Sequence, residues 1–148
     1  FGLFFQGVQG NEIYNVAKYY NIFWADDNKL AEVKNAWTPT NTNTDIPRMT
    51  TSDAAQNGAP SSFFVEDGSF IRLQSLTLSY NLPKDILAKI NVSNLKVFFA
   101  GNYLWTLSNY SGLDPEVNFG GTSNLTLGTD FLTQGLNRTV RFGLNASF

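Results

Sequence analysis

The sequence predicts an all-β fold: antiparallel strands and long extracellular loops of a large transmembrane β-barrel. Three observations predict it. The segment Arg138 to Phe148 alternates strictly between apolar and polar residues, the period-two pattern of a strand with two unlike faces. Charged residues make up only 15% of the chain and aromatics another 15%, where soluble domains carry roughly 25% charged residues. The connections between candidate strands are very unequal, one short and two long, as in barrels with short periplasmic turns and long extracellular loops. No stretch approaches the ~20 consecutive apolar residues of a membrane helix, so any span must be β.

Taken in chain order, Phe1 to Val8 reads as a strand with weak alternation. The chain opens inside this apolar run without a start Met, so the natural N-terminus and any signal peptide are expected upstream. Residues 9–69 read as a long loop. Within it, Leu30, Val33, Ala36 and Trp37 have helical spacing and predict a short helix. Thr38 to Gly58 is an Asn/Thr/Asp/Pro run expected to be irregular. The second strand is expected over 70–80, with Leu76, Leu78 and Tyr80 opposing Ser75, Thr77 and Ser79. Asn81 to Asn94 is the short connection, and Pro83 suits the start of a helical turn over Lys84 to Ile90.

The third strand is expected over 95–107. Its outward set is Leu95, Val97, Phe99, Gly101, Tyr103 and Trp105; the opposite set, from Lys96 to Thr106, is mixed. Residues 108–137, rich in Gly, Asn, Ser and Thr, form the second long loop. The last strand, 138–148, carries Val140, Phe142, Leu144, Ala146 and Phe148 on one face. Thr139, Arg141, Gly143, Asn145 and Ser147 lie on the other. Its length suits a tilted membrane strand of ~9–11 residues.

With the 81–94 turn in the periplasm, 70–80 runs down, 95–107 up and 138–148 down, so the chain ends in the periplasm. Tyr103 and Trp105 then belong to an outer aromatic girdle and Tyr80 and Phe148 to an inner one. Two such girdles are expected of membrane barrels.

Composition excludes several chemistries. With no Cys and no His, the chain has no disulfide, no thiolate nucleophile, no Ser-His-Asp triad and no common zinc or copper ligand set. The net charge of -2 and pI near 4.9 give no basic patch for nucleic acid. No cofactor is expected.

Several motifs, in order, carry a family resemblance. Phe5 to Asn15 (FQGVQGNEIYN) is one. Trp37-Thr38-Pro39 followed by Asn43 to Arg48 (NTDIPR) is another. Glu66 to Leu73 (EDGSFIRL) with Leu76 to Pro83 (LTLSYNLP) is the most recognisable. Asn102 to Thr106 (NYLWT), Tyr110 to Val117 (YSGLDPEV) and Arg138 to Asn145 (RTVRFGLN) complete the set. Together they resemble the C-terminal part of SusC/RagA-family TonB-dependent transporters over almost the whole chain.

The resemblance implies that 1–148 is the C-terminal portion of a barrel of about 22 strands with a plugged lumen. It implies TonB-dependent import of oligosaccharides or peptides across the Gram-negative outer membrane, with a SusD-like surface lipoprotein as partner. The plug and the energy-coupling box belong upstream. No enzymatic activity is expected.

Candidate sites follow. The outward aromatics Tyr80, Tyr103, Trp105 and Phe148 are expected to face membrane lipid. Phe142, Leu144 and the terminal Phe148 resemble the strand signal read by the barrel-assembly machinery, and girdle anchoring explains the same residues. Trp24, Trp37, Tyr110 and Phe119 fall in predicted loops, where rings contact substrate or partner or pack internally. Asp114, with Glu116, and the pair Asp26-Asp27 are acidic. A glycosidase needs two carboxylates at a set separation, whereas Asp114-Pro115 reads as a turn and Asp26 or Asp27 as a helix cap. Arg141 is expected to face the lumen. Arg72 shares the parity of Leu76 and is expected near the extracellular end of its strand, above the apolar band. Five glycosylation-type sequons, including those at Asn91 and Asn145, reflect composition in a bacterial barrel.

Two rival readings remain. A soluble β-sandwich carbohydrate-binding module requires a second sheet to cover the apolar face of Arg138 to Phe148. A glycosidase requires Asp114 or Glu116 to act on a glycan.

Overall fold

The structure is a computed structural model that describes residues 1–24, 28–50, 56–90 and 92–148. The candidate cap at Asp26-Asp27, part of the 38–58 loop and the sequon residue Asn91 lie outside the described residues. The chain divides into two units: residues 1–10, 69–109 and 135–148, and residues 11–68 and 110–134.

The first unit is a four-stranded antiparallel sheet of β1 (Gly2–Val8), β4 (Phe70–Asn81), β5 (Asn94–Ser108) and β7 (Thr139–Ser147), in the order β1-β4-β5-β7. The turn between β4 and β5 holds α2 (Lys84–Leu87), followed by a 3-10 turn, Ala88–Ile90. Pro83 is the residue before the helix rather than its first. Buried Leu87 anchors the turn. The Ser93 amide and hydroxyl both donate to the Ser147 carbonyl at 2.8 Å.

Register explains the two faces. Leu78 opposes Phe99, which opposes Phe142; Tyr80 opposes Val97, which opposes Leu144. Directly opposed residues share a face, so three strands contribute to one apolar surface. Phe99 and Phe142 pack with ring centroids 5.0 Å apart. Among the described residues nothing covers this surface: Phe142 is 79% and Leu144 69% exposed. That is the reverse of a β-sandwich, whose inner faces interdigitate.

The opposite face changes partway along. In β1, Leu3 and Phe5 are two residues apart and share a face. Their partners Leu76 and Leu73 are three apart. One step of alternation is therefore lost in β4, the signature of a bulge. Gln74 sits at the break, opposite Tyr103-Leu104 of β5, and Tyr103 has a left-handed φ of 53°.

Two expectations are corrected. Arg72 does not share the face of Leu76. It is 1% exposed, donates from Nε to Thr106 Oγ1 at 2.9 Å, and lies over the rings of Phe70 and Tyr103. Tyr103, expected outward, turns its ring to this same side, while Trp105 opposes Leu73. Unbroken alternation was the wrong premise, because a bulge resets parity.

The second unit gives the expected long loops secondary structure that was not foreseen. It contains a three-stranded sheet, order β3-β2-β6, of β2 (Glu12–Asn15), β3 (Val65–Asp67) and β6 (Thr129–Asp130). α1 (Val16–Ile22) follows β2 directly and was not expected. Asn15 starts it by accepting the Lys18 amide on its side-chain oxygen at 2.9 Å, the usual N-cap bond. The helix expected near Leu30 to Trp37 is a 3-10 helix, Ala31–Asn35. Ile13, Ile22 and Phe64 are fully buried. Tyr14, Tyr19, Phe23 and Phe63 meet Phe64 edge-on at 5.2–6.2 Å, a geometry favoured by the ring quadrupole.

Candidate functional site

In the second unit, Glu66 is a hub. Its carboxylate accepts the Ser111 amide at 3.0 Å, the Ser111 hydroxyl at 2.9 Å and the Asn15 amide at 3.1 Å. Lys18 Nζ stands 3.6 Å away, over the Phe63 ring. Burial alone raises a carboxyl pKa. Here the Ser111 and Asn15 hydrogen bonds and the Lys18 charge outweigh it and hold Glu66 below its usual value. The hub ties together segments 45 and 51 residues apart in sequence.

Tyr110 donates to Asp130 Oδ2 at 2.5 Å, and Asp130 Oδ1 accepts the Thr133 amide at 2.9 Å. Burial, then the Asp130 bond and charge, push the Tyr110 phenol far above its ordinary range. Beside these groups lies a cleft of about 580 Å³, whose wall includes Asn15, Lys18, Asn21, Leu30, Leu113 and Asp130.

An aromatic ridge runs through the same unit. Phe119 packs on Phe131 at 5.0 Å, Phe131 on Tyr20 at 5.2 Å, and Tyr20 on Trp24 at 5.1 Å. Trp24 is 47% and Phe119 54% exposed.

The structure separates the loop candidates. Trp24 and Phe119 belong to one ridge; Trp37 does not, and its amide donates to the Ile46 carbonyl. Tyr110 takes the internal-packing alternative and not the contact one: it is a core residue packed with Ile13 and Val117. Buried Asp114 accepts the Glu116 amide at 2.9 Å, the turn reading of Asp114-Pro115. Tyr20, Phe131, Lys18 and Glu66 escaped sequence reading. The one local signal was Asn15 at the start of a helix-forming run.

Long antiparallel strands with one apolar and one polar face, joined by a short turn and by large folded loops, are the construction of an outer-membrane barrel wall. No family model matches the chain. It is 40% identical, over 152 residues and its whole length, to TonB-dependent receptor P26 of Formosa agariphila. It is 37% identical, over 150 residues, to TonB-dependent receptor P3 of the same organism. It spans only 15% and 14% of those relatives. Its fold matches the structure of the RagAB peptide transporter with a TM-score of 0.76 at 26% identity, covering 99% of this chain and 15% of that one. The RagAB peptide importer in its "closed-closed" state matches at 0.75 and 25%. Over its whole length the chain is thus similar to a stretch of TonB-dependent receptors and of the RagAB peptide transporter.

Proposed function

We propose that this chain is the C-terminal barrel segment of an outer-membrane receptor that imports nutrients in a TonB-dependent manner. Its cargo is an oligosaccharide or a peptide, and its partner is a SusD-like surface lipoprotein. TonB engages the receptor through parts outside this chain. The observation that carries the reading is the row Leu78, Phe99, Phe142 with Tyr80, Val97, Leu144, opposed in register and, with Phe99 half-buried between its neighbours, exposed. Such a face suits lipid, because water would drive it into a second sheet. On this reading Tyr80, Trp105 and Phe148 lie at the membrane interfaces, and Phe142, Leu144 and Phe148 present the assembly signal. The RagAB peptide transporter supports both an import role and a two-component assembly.

The test is fractionation and uptake with the full-length receptor in a Gram-negative host. The reading expects the receptor in the outer membrane and accumulation of labelled oligosaccharide or peptide that stops when TonB is deleted. A receptor recovered in the soluble periplasm, or uptake indifferent to TonB, would overturn it.

A further inference from the structure

The cleft of about 580 Å³ lies wholly within the second unit, walled by residues from 15–21, 30–32, 111–113 and 130–133. Its size falls in the range of about 300–1,000 Å³ usual for small-molecule sites. The walls are fixed before any ligand arrives. Glu66 holds Ser111, Asn15 and Lys18 in place. Asp130 is held by the Tyr110 hydroxyl and the Thr133 amide. The Leu30 amide donates to the Asn21 carbonyl at 3.1 Å, which joins two of the walls. A site ordered in this way loses little entropy when a ligand enters.

What the walls leave free decides the ligand. The Lys18 ammonium is already engaged, 3.6 Å from Glu66 and over the Phe63 ring. Among the described residues, no hydrogen bond or ion pair engages the side chains of Asn21 and Glu32. Thr133 Oγ1 is buried there without a partner, and a buried polar atom left alone calls for one. A carboxylate, an amide oxygen and a hydroxyl all accept hydrogen bonds, and the free charge is negative. The matching ligand therefore brings donors and positive charge. The rest of the lining is aliphatic, with Ala17, Leu30, Ala31, Leu113 and Leu132. No ring lines the cleft among the described residues, so it has no plate on which a sugar face could stack.

We propose that this cleft is a binding subsite for a primary ammonium group carried on a small aliphatic body, the chemistry of a short peptide's amino end. Glu32 takes the ammonium in a charge-assisted hydrogen bond, roughly twice as strong as a neutral one. Ala17, Leu30 and Leu113 receive the first aliphatic side chain. This rests on the import reading above and selects a peptide over a neutral oligosaccharide as the cargo.

The experiment uses the full-length receptor, purified in detergent and titrated calorimetrically. The probes are the tripeptide Ala-Leu-Ala, its N-acetylated form and a glucosamine disaccharide, which carries ammonium groups on sugar rings. The free tripeptide should bind about tenfold more tightly than the acetylated one, which lacks the charged donor. Glu32→Gln should weaken the free tripeptide by a similar factor and leave the acetylated one unchanged. Ala31→Trp, at an exposed position of the wall, should abolish binding by filling the cleft. Glu12→Gln, an exposed acid of the same unit outside the cleft, should bind as the wild type does. Binding is scored per folded receptor, counted by its heat-resistant band. Equal affinity for free and acetylated tripeptide overturns the proposal. So does binding indifferent to Glu32→Gln and Ala31→Trp, or a glucosamine disaccharide held as tightly as the tripeptide. TonB-dependent uptake, measured separately in cells, keeps the two readings apart. Tripeptide uptake that ignores the cleft variants sinks only the subsite; cleft-dependent binding without TonB-dependent uptake sinks the import reading and leaves the subsite standing.

Discussion

Phe98 and Gly143 oppose one another in the β5–β7 ladder, and the Phe98 ring fills the space a side chain at 143 would take. A Cβ at Gly143 would lie 2.3 Å from Phe98 Cζ and 2.4 Å from Cε1. The glycine is there because an aromatic from the neighbouring strand covers it. Gly143→Val forces the ring aside and should destabilise the receptor by about 1–3 kcal/mol, the usual range for overpacking. Combining it with Phe98→Ala should recover part of that loss, since contacting residues do not add. Thermal unfolding in detergent, followed by the heat-dependent gel shift, reads both. Additive effects would show that the ring does not depend on the glycine.

Arg72 is the buried cation of the sheet. Arg72→Met keeps the stem but removes the bond to Thr106 Oγ1 and the charge over Phe70 and Tyr103. Hydrogen bonds to charged groups contribute roughly 1.5–3 kcal/mol, so a loss of that order is expected in the same assay. Arg72→Lys should recover little, because an ammonium lacks the planar fork and stacks less well.

How much of this was legible in the sequence depends on whether the backbone stayed regular. Phe142, Leu144, Val97 and Phe99 could be placed because period two holds without interruption from the β4–β5 turn to Gly101. Arg72 and Tyr103 could not, because the bulge at Gln74 is a backbone event with no glycine or proline to announce it. The folded loop unit was hidden for another reason. Its sheet joins residues 12–15 with 65–67 and 129–130, strands too short to show a period. Tyr110 read as a loop aromatic because its burial depends on Ile13, almost a hundred residues earlier.

The Glu66 hub predicts an acid-sensitive loop unit. Its pKa is held below the usual glutamate value. The stabilisation is therefore present above that value and fades as pH falls through the lowered one. The protection of the Ser111 and Lys18 amides against hydrogen exchange, relative to the intrinsic rate at each pH, should fall as the medium becomes acidic. In Glu66→Gln that protection should be lower at neutral pH and lose most of its pH dependence. A mutant profile parallel to wild type would assign the acid sensitivity to another carboxylate.

Tyr110 predicts the opposite limb. Burial and the Asp130 contact raise its pKa, so its contribution is complete below the unfolded value of roughly 10 and declines as pH rises beyond it. Tyr110→Phe removes that alkaline term. It also deprives Asp130 of one donor while the Thr133 amide remains, at a cost of about 1–3 kcal/mol. Chemical unfolding from neutral to alkaline pH should give a flatter slope for the variant. Identical slopes would mean the phenol does not govern the limb.

Phe142 and Asn145 lie on opposite faces of one strand and separate a membrane wall from a soluble sheet. Phe142 opposes Phe99 on the apolar surface; Asn145 opposes Lys96 on the other. In water, an arginine at so exposed a site as Phe142 (79%) costs little beyond the contact with Phe99. In lipid it costs about 2–4 kcal/mol near the midplane, and a lumen-facing position tolerates the same change. Phe142→Arg should therefore reduce the folded, membrane-inserted receptor, measured as protease-resistant barrel in outer membranes, while Asn145→Arg leaves it largely intact. The difference should vanish if strand β7 meets water on both sides. A larger loss from Asn145→Arg would mean the polar face is the one packed against something dry, and would reverse the assignment of inside and outside for the whole sheet.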